Sequence, residues 1–437
     1  MKILLVNPAQ KTKHMAKTSR SFLVPQLSLA HVVALTPHDD VSIMDELVED
    51  INFNAEADIV GVTAMTDNAK RAYEIADGFR ARGRTVVMGG AHPTARPKEA
   101  LQHCDAVVTG EAEGIWERVV DEARAGKMPK GLYANIGLPS LEALPRPRRD
   151  LIKQKLYYDV WPVQTSRGCP YACDFCSVHK FSGRRFRHRP VRDVIREIDE
   201  ECGKRVFIVD DIINGDVKYA MELFREMAPL NRRWVGQVTV SLGKEPELVK
   251  AMAKAGCIGV FIGLESVDQE TLKNMRKKHN RADKYWEHIA VIRDAGIPVL
   301  GAFVFGFDTD DADVFSRTLE FALETKLDLA QFNIITPLPG TDLYDKFEQE
   351  GRLRYKDWWL TRHWSDVLFE PKLLTPEQLK RGWVETAVSF YRGLNIGKRI
   401  IESVRQKDVA QALFVGTMNV SYRQSVWSLA SDMGLVN

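Results

Sequence analysis

The sequence predicts an α/β chain: a flavodoxin-like parallel sheet in front, a partial (β/α)6 TIM-like barrel behind it, and a helical carboxyl-terminal domain. Three observations predict this. Short apolar runs alternate with amphipathic stretches up to about residue 125, and the alternation starts again near 161 and continues to about 345. A proline- and arginine-rich stretch, LPRPRRD at 144–150, falls between the two blocks. After about residue 345 the pattern becomes helical and aromatic. Strands that alternate with helices argue for parallel sheets. The expected units are 1–135, a linker at 136–160, the barrel at 161–345 and the helical domain at 346–437.

In the front block, residues 3–6, 41–44, 59–63, 86–88 and 106–108 read as strands, and 68–81 as an amphipathic helix ending near Gly83. Ligands of such sheets bind beyond the carboxyl ends of the strands. The turns there are Asn7-Pro8, Thr63-Ala64-Met65-Thr66, Gly89-Gly90 followed by His92 and Pro93, and Gly110-Glu111. Glycine at such a turn lets the backbone approach a bulky ligand closely. In the second block, strands are expected at 163–166, 205–209, 234–240, 259–264, 299–305 and 331–335. Helices are expected at 191–202, 219–228, 246–255, 282–295 and 311–324. Six units make a partial barrel, whose chemistry belongs at the carboxyl ends of its strands. Further helices are expected at 376–394 and 397–412.

Composition narrows the function classes. A chain of 437 residues holds two or three domains. A formal net charge of +2 makes no case for nucleic acid or an anionic membrane. No apolar run reaches about 18 residues, so no spanning helix is expected. The start, MKILLVNP, runs straight into strand-like sequence without the apolar core of a signal peptide, which places the protein in the cytoplasm. The arginines of 144–150 read as solvated linker charges. The basic run GRRFRHRP at 183–190 reads as a solvated loop beside the site, with an RNA or phosphate contact as the lesser reading. Trp358, Trp359 and Trp364 either wall a substrate cavity or pack the tail.

Three of the six cysteines lie within eight residues, in TSRGCPYACDFCSV at 165–178. Chance yields such a triplet in about one of a thousand chains of this composition, so clustering points to a metal. Cys169, Cys173 and Cys176 share one loop after the first barrel strand, where three thiolates can hold three irons of a cubane and leave the fourth open. A zinc reading needs a fourth ligand, for which His179 is the nearest residue. Cys104, Cys202 and Cys257 read as structural thiols.

The spacing C-x3-C-x2-C, with Phe175 before the last cysteine, resembles the radical S-adenosylmethionine (SAM) superfamily. The resemblance implies a [4Fe–4S] cluster on Cys169, Cys173 and Cys176. Its open iron would chelate SAM, and one electron would then release a 5′-deoxyadenosyl radical. It further implies SAM contacts from Phe175, from Asp210 and Asp211 after the second strand, from Gln237 and Ser241 around the third, from Glu265 after the fourth, and from Gly301, Phe303 and Gly306 on the fifth. The competing reading of the three acids is a helix cap or an exposed carboxylate.

The front sheet with this barrel resembles the cobalamin-binding subgroup, over residues 1 to about 345. That implies cobalamin contacts from Asn7, Pro8, Thr63, Ala64, Met65, Thr66, Gly89, Gly90, His92, Pro93, Gly110 and Glu111. The Asp-x-His-x-x-Gly motif of many cobalamin modules is missing: VNPAQKTKHM stands at 6–15, and His14 has other surroundings. The implied activity is methylation of an unactivated carbon of a small-molecule or lipid-like substrate, with flavodoxin or ferredoxin as electron donor. The alternatives are a radical cyclase or rearrangement enzyme, and a non-catalytic iron–sulfur or cobalamin-sensing module.

Overall fold

A computed structural model describes residues 1–9, 23–127, 130–406 and 409–436. His14 lies outside the described residues. In the front block, β1 (Lys2–Asn7), β2 (Asp40–Asp45), β3 (Ile59–Thr63), β4 (Thr85–Gly89), β5 (Ala106–Thr109) and β6 (Gly131–Ala134) form one parallel sheet in the order β2-β1-β3-β4-β5-β6. Successive residues of a strand face opposite sides. Ile3 and Leu5 of β1 pack with Leu29, Val33, Trp116 and Val119 of helices Leu27–Ala34 and Trp116–Arg124. Leu4 and Val6 pack instead with Tyr73, Ala76 and Phe79 of helix Ala69–Arg80. Both faces are covered, which is why these strands read as unbroken apolar runs. The expected order holds, with β6 added at the edge. That strand is only GLYA, too short and too exposed to carry a pattern.

The barrel strands are β7 (Trp161–Val163), then β10 (Arg205–Ile208), β11 (Arg233–Val238), β12 (Cys257–Glu265), β13 (Val299–Phe305) and β14 (Leu329–Ile334). They are parallel and neighbour one another in sequence order. The remaining two strands, β8 (Ser166–Arg167) and β9 (Arg187–His188), pair antiparallel and bracket the cysteine loop. β7 and β14 do not pair with each other, so the six-stranded barrel stays open.

After the barrel, helices Pro376–Phe390, Gly393–Gln406 and Val409–Asp432 seal the β12–β14 side. Trp383 Nε1 donates to the Phe332 carbonyl at 2.7 Å, and the Tyr391 hydroxyl donates to the Ala330 carbonyl at 2.8 Å. The expected helix at 376–394 therefore ends early, because Tyr391 turns into the barrel wall. Among the described residues, no helix is long and apolar enough to cross a membrane.

Three charge readings from the sequence are corrected here. Arg149, read as a solvated linker residue, is buried: it pairs with Glu197 and donates to the Pro162 carbonyl at 2.7 Å. Arg187 and Arg189, read as part of a solvated loop, are also buried. Arg189 meets Glu197 at 2.6 Å, and Arg187 pairs with Glu111. In each case a buried carboxylate on another element supplies the partner that a buried cation requires. The tail aromatics divide. Trp358 and Trp359 are buried, with indole N–H groups on the Pro337 carbonyl and the Glu99 carboxylate. Trp364 stays exposed.

Candidate functional site

The cysteine loop is set by the residues just before it. Thr165 N and the hydroxyls of Thr165 and Ser166 all donate to Asp210, whose carboxylate is buried. Asp210 thus ties the end of β10 to the turn between β7 and β8, and its oxygens are spent on that turn rather than left for SAM. The next residue, Asp211, lies beside the cysteines. Burial, with the Asp210 charge added, pushes its pKa up to about 6. Gly168 has φ of 92°, and a Cβ there would sit 2.2 Å from the Arg185 carbonyl oxygen, so the chain enters the loop through a conformation only glycine accepts.

Burial pushes the thiols up, Cys169 to about 11 and Cys173 to about 12. They become thiolates only against compensating positive charge, which bound iron supplies. Among the described residues, no three His, Cys, Asp or Glu side chains converge on one point as a single ion needs. Thiolates that each bind a different iron do not need to converge. Cys104, Cys202 and Cys257 are buried within the packed interior, as expected of structural thiols.

One residue here escaped the sequence reading. Lys277 Nζ meets Glu265 at 2.7 Å and lies 6.0 Å from the centre of the Phe175 ring. Burial works against its charge, but Glu265 and then Cys173 override burial and hold its pKa above the ordinary range. Glu265 ends β12 at a register shift with φ of 64°, a left-handed conformation costly for a non-glycine residue and typical of functional sites. Tyr171, between the first two cysteines, stacks on His279 with ring centres 3.5 Å apart.

Of the other SAM candidates, Phe175 is half-buried against Phe307, beside a cleft of about 50 Å³ that Gly306, Phe307 and Ile335 also line. Gly306 has φ of 103°, and its N–H donates to Asp310 at 2.8 Å. Gly301 and Phe303 lie deeper in β13 and do not line the cleft. A Cβ on Gly301 would meet Leu327 at 2.7 Å, and Phe303 is fully buried with its ring stacked on Phe332. Both serve packing. Gln237 is exposed on β11, and the Ser241 hydroxyl pairs with Thr239 at 2.7 Å.

The second site is a cavity of about 500 Å³ between the front sheet and the barrel. Thr63, Gly89, Gly90, Gly110 and Glu111 line it, as expected, together with Gly61, His31 and Trp116. Gln164, Arg167, Phe207 and Val209 close it from the barrel side. Gly61 had a readable signal, since glycine inside a strand marks close approach. His31 and Trp116 carried none beyond an ordinary helix pattern.

The remaining cobalamin candidates are placed elsewhere. Asn7 bonds Asp45 at 2.9 Å, and the Pro8 carbonyl is taken by Asn68. Ala64 is held by backbone bonds to Gly89 and His92, Pro93 is buried, and Met65 is 52% exposed. His92 is fully buried on Thr66, Tyr73 and Glu99, and Trp359 of the tail donates to the same Glu99. This network fastens the tail to the front sheet and occupies both His92 and Thr66. Glu111 lines the cavity, but its oxygens are held by Arg167 at 3.0 Å and by Arg187. It acts as a clamp from β5 to the strand pair around the cysteine loop.

Residues 163–322 match the family model of the radical SAM superfamily, and residues 29–120 match the B12 binding domain. The bacteriochlorophyllide d C-12(1)-methyltransferase of Chlorobaculum tepidum is 33% identical over 91% of this chain and 89% of its own length. The chain belongs to the cobalamin-binding radical SAM enzymes. The hopanoid C-2 methylase of Rhodopseudomonas palustris is 27% identical over 87% of this chain and 73% of its own length. The radical SAM methyltransferase TsrM of Kitasatospora setae, solved with cobalamin and a [4Fe–4S] cluster, shares the fold at a TM-score of 0.65 and 16% identity, over 80% of this chain and 75% of that one.

This radical SAM enzyme is a cobalamin-dependent methyltransferase that uses a [4Fe–4S] cluster, SAM and cobalamin. Its residues fit these groups. Three thiols share one loop beside the half-buried Lys277. A glycine turn and an aromatic ring border a cleft next to that loop. Gly89, Gly90 and Gly110 border the cavity between the domains at the strand ends, and the buried Trp116, whose indole N–H has no partner among the described residues, lines it.

Proposed function

We propose that this enzyme methylates an unactivated carbon of a small-molecule or lipid-like substrate, drawing its electron from a flavodoxin or ferredoxin. The observation that carries this reading is the cavity walled by both domains and bordered by Arg167, which precedes Gly168 and Cys169 directly. Corrinoid and cluster sites would then lie on two sides of one wall. Two relatives support the substrate class, since their names give a bacteriochlorophyllide and a hopanoid. Bound together, the cofactors supply a carbon radical and a transferable methyl group.

In this reading the chain's own residues do four things. Cys169, Cys173 and Cys176 hold the cluster. Lys277 balances negative charge beside it and keeps Glu265 in place for SAM. Phe175, packed edge-on against Phe307, and Gly306 would border SAM beside the cysteine loop. Thr63, Gly89, Gly90 and Gly110 leave room for the corrinoid, while Glu111 holds the front sheet against the barrel.

The test is anaerobic purification, cluster reconstitution, and addition of cobalamin and dithionite, followed by assay of retained cobalamin and SAM-derived products. Methylation predicts both S-adenosylhomocysteine and 5′-deoxyadenosine. Deoxyadenosine without S-adenosylhomocysteine would replace methyl transfer with cyclisation or rearrangement. The absence of both products would point to a binding module.

A further inference from the structure

Two helices of the tail turn an apolar face away from the protein. Helix Gly393–Gln406 packs inward through the buried Ile396, Arg399 and Ser403, and helix Val409–Asp432 through the buried Gln411, Val415 and Asn419. Arg399 donates to Asn419 at 2.9 Å, which ties the helices together. Gln411 donates to the Cys257 carbonyl at 3.1 Å and Asn419 to the Asp328 carbonyl at 3.0 Å, which fixes the pair to the barrel wall. With about 3.6 residues per turn, the opposite faces fall on Leu394 and Ile401 of the first helix and on Val409, Leu413 and Val420 of the second. Both outer faces therefore point away from the barrel.

A surface helix normally carries polar residues there. Here those five side chains and Val404 are between 49% and 77% exposed. They are six of the fifteen large apolar side chains exposed among the described residues, so exposed apolar surface is concentrated on this pair. Helix Val409–Asp432 has only two charged residues in 24, Arg423 and Asp432, so its outer face has little to hold water. An apolar patch of this kind marks a contact surface.

The charges around the patch choose the partner. Lys398 and Arg405 stand on the outer face and Arg392 just before it. All three are exposed, and none makes an ion pair among the described residues. Glu402, between them in sequence, is already held by Lys326 at 3.1 Å and Arg293 at 3.5 Å. The net charge of +2 over the whole chain conceals this local excess. A second copy of the chain would meet the face with itself across a two-fold axis. Its cations would then find no free acid opposite them. A bilayer with acidic headgroups satisfies both parts of the face: the apolar side chains enter the acyl boundary while the cations stay among the phosphates.

We propose that the outer face of helices Gly393–Gln406 and Val409–Asp432 docks the enzyme onto an anionic lipid bilayer, reversibly and without spanning it. The docking is independent of the reaction proposed above.

The test is sedimentation of the full chain, with cluster and cobalamin loaded, in the presence of sucrose-filled vesicles. One set contains phosphatidylglycerol and phosphatidylcholine in equal parts, the other phosphatidylcholine alone. The wild type should sediment with the mixed vesicles and bind the neutral ones roughly tenfold to a hundredfold more weakly. Raising the salt from about 0.1 to 1 M shortens electrostatic reach from about 10 to 3 Å and should erase most of that preference. Lys398→Gln with Arg405→Gln should weaken binding to the mixed vesicles by about fivefold per charge and leave the neutral ones unchanged. Ile401→Gln with Leu413→Gln adds no charge and should weaken both by roughly tenfold or more. Both double variants should keep the iron and cobalamin content of the wild type. Their thermal midpoints should stay within about 2 °C of it, because the altered side chains are exposed.

The proposal is overturned if the wild type stays in the supernatant with mixed vesicles, or if either double variant sediments as the wild type does. It is equally overturned if light scattering shows a dimer that Ile401→Gln with Leu413→Gln converts to a monomer, because the face would then join two copies of the chain.

Discussion

The front sheet and the barrel are both six-stranded and parallel, yet they build their open ends differently. At the front sheet the strand ends are bare: Gly89, Gly90 and Gly110 border the cavity, while Gly61 in mid-strand makes room for Leu5 and Trp116. Around the barrel mouth the strand ends are charged. Asp210 is spent on the turn before the cysteines, Glu265 is paired with Lys277, and Asp310 holds the turn at Gly306. A bulky ligand held mainly by shape needs missing side chains, whereas a cluster and a small zwitterion need charges fixed in place. One sheet therefore makes its site by omission and the other by restraint.

Three substitutions probe the restrained side. The largest effect is expected from Cys173→Ala. Without a third thiolate the cluster should not assemble, and iron and sulfide per chain should fall close to zero after reconstitution. Cobalamin affinity should stay within a few-fold of the wild type, because no cysteine lines that cavity. Parallel loss of cobalamin would show that the two ends are not separable.

Next is the clamp that joins them. Glu111→Ala leaves the half-buried Arg167 and the buried Arg187 without that carboxylate. Stranding a buried charge costs about 3–5 kcal/mol, so the urea midpoint should drop sharply and cobalamin retention with it. An unchanged midpoint would mean that Glu113, 2.8 Å from Arg167, carries the clamp instead.

Asp310 tests restraint through pH. Burial pushes its pKa up to about 7, although Gly306 and Phe307 N–H groups donate to it. Its unfolded value lies near 4. Between these values the folded state holds a proton that the unfolded state has released. The Asp310 contribution to stability is therefore greatest below pH 4, falls as pH rises from 4 to 7, and stays lower above that by about 4 kcal/mol. Asp310→Asn keeps the one oxygen that accepts both N–H groups and has no proton to lose. Denaturant titrations at pH 4.5 and 8 should differ less in the variant than in the wild type, and an equal difference would sink this account.

What could be read from the sequence follows the same division. Omission leaves a visible mark: the glycines at 89, 90 and 110 stand out at strand ends, and they line the cavity. The cysteine spacing is equally local. Restraint is not visible, because it depends on partners far away in sequence. Nothing near His92 announces that Trp359 will share its partner Glu99, and nothing near Glu111 announces Arg187. Both residues were read as ligand contacts for that reason. Lys277 sits in an ordinary basic run, RKKHN, and gains its meaning only when the chain brings Glu265 to it. Phe303 has the right strand but the wrong side, a difference of one residue that a periodicity of two does not resolve without the register.

The smallest effects separate two kinds of omission within the front sheet. Gly90 has φ of 104°, and a Cβ there would lie 2.7 Å from the Ala64 carbonyl oxygen. Gly110 has φ of 76° with nothing within 4 Å of its Cβ position. Both face the cavity. Gly90→Ala should therefore cost strain plus a backbone clash, roughly 2–3 kcal/mol, and should lower cobalamin affinity because β3 and β4 must move apart at their ends. Gly110→Ala should cost only the strain of a positive φ, about 1 kcal/mol. Any loss of cobalamin beyond that would come from the added methyl group entering the ligand's space. Thermal unfolding and dialysis on the two variants read these apart. Equal destabilisation would mean that the space around Gly90 is not reserved by its own backbone, and that both glycines are there for the ligand alone.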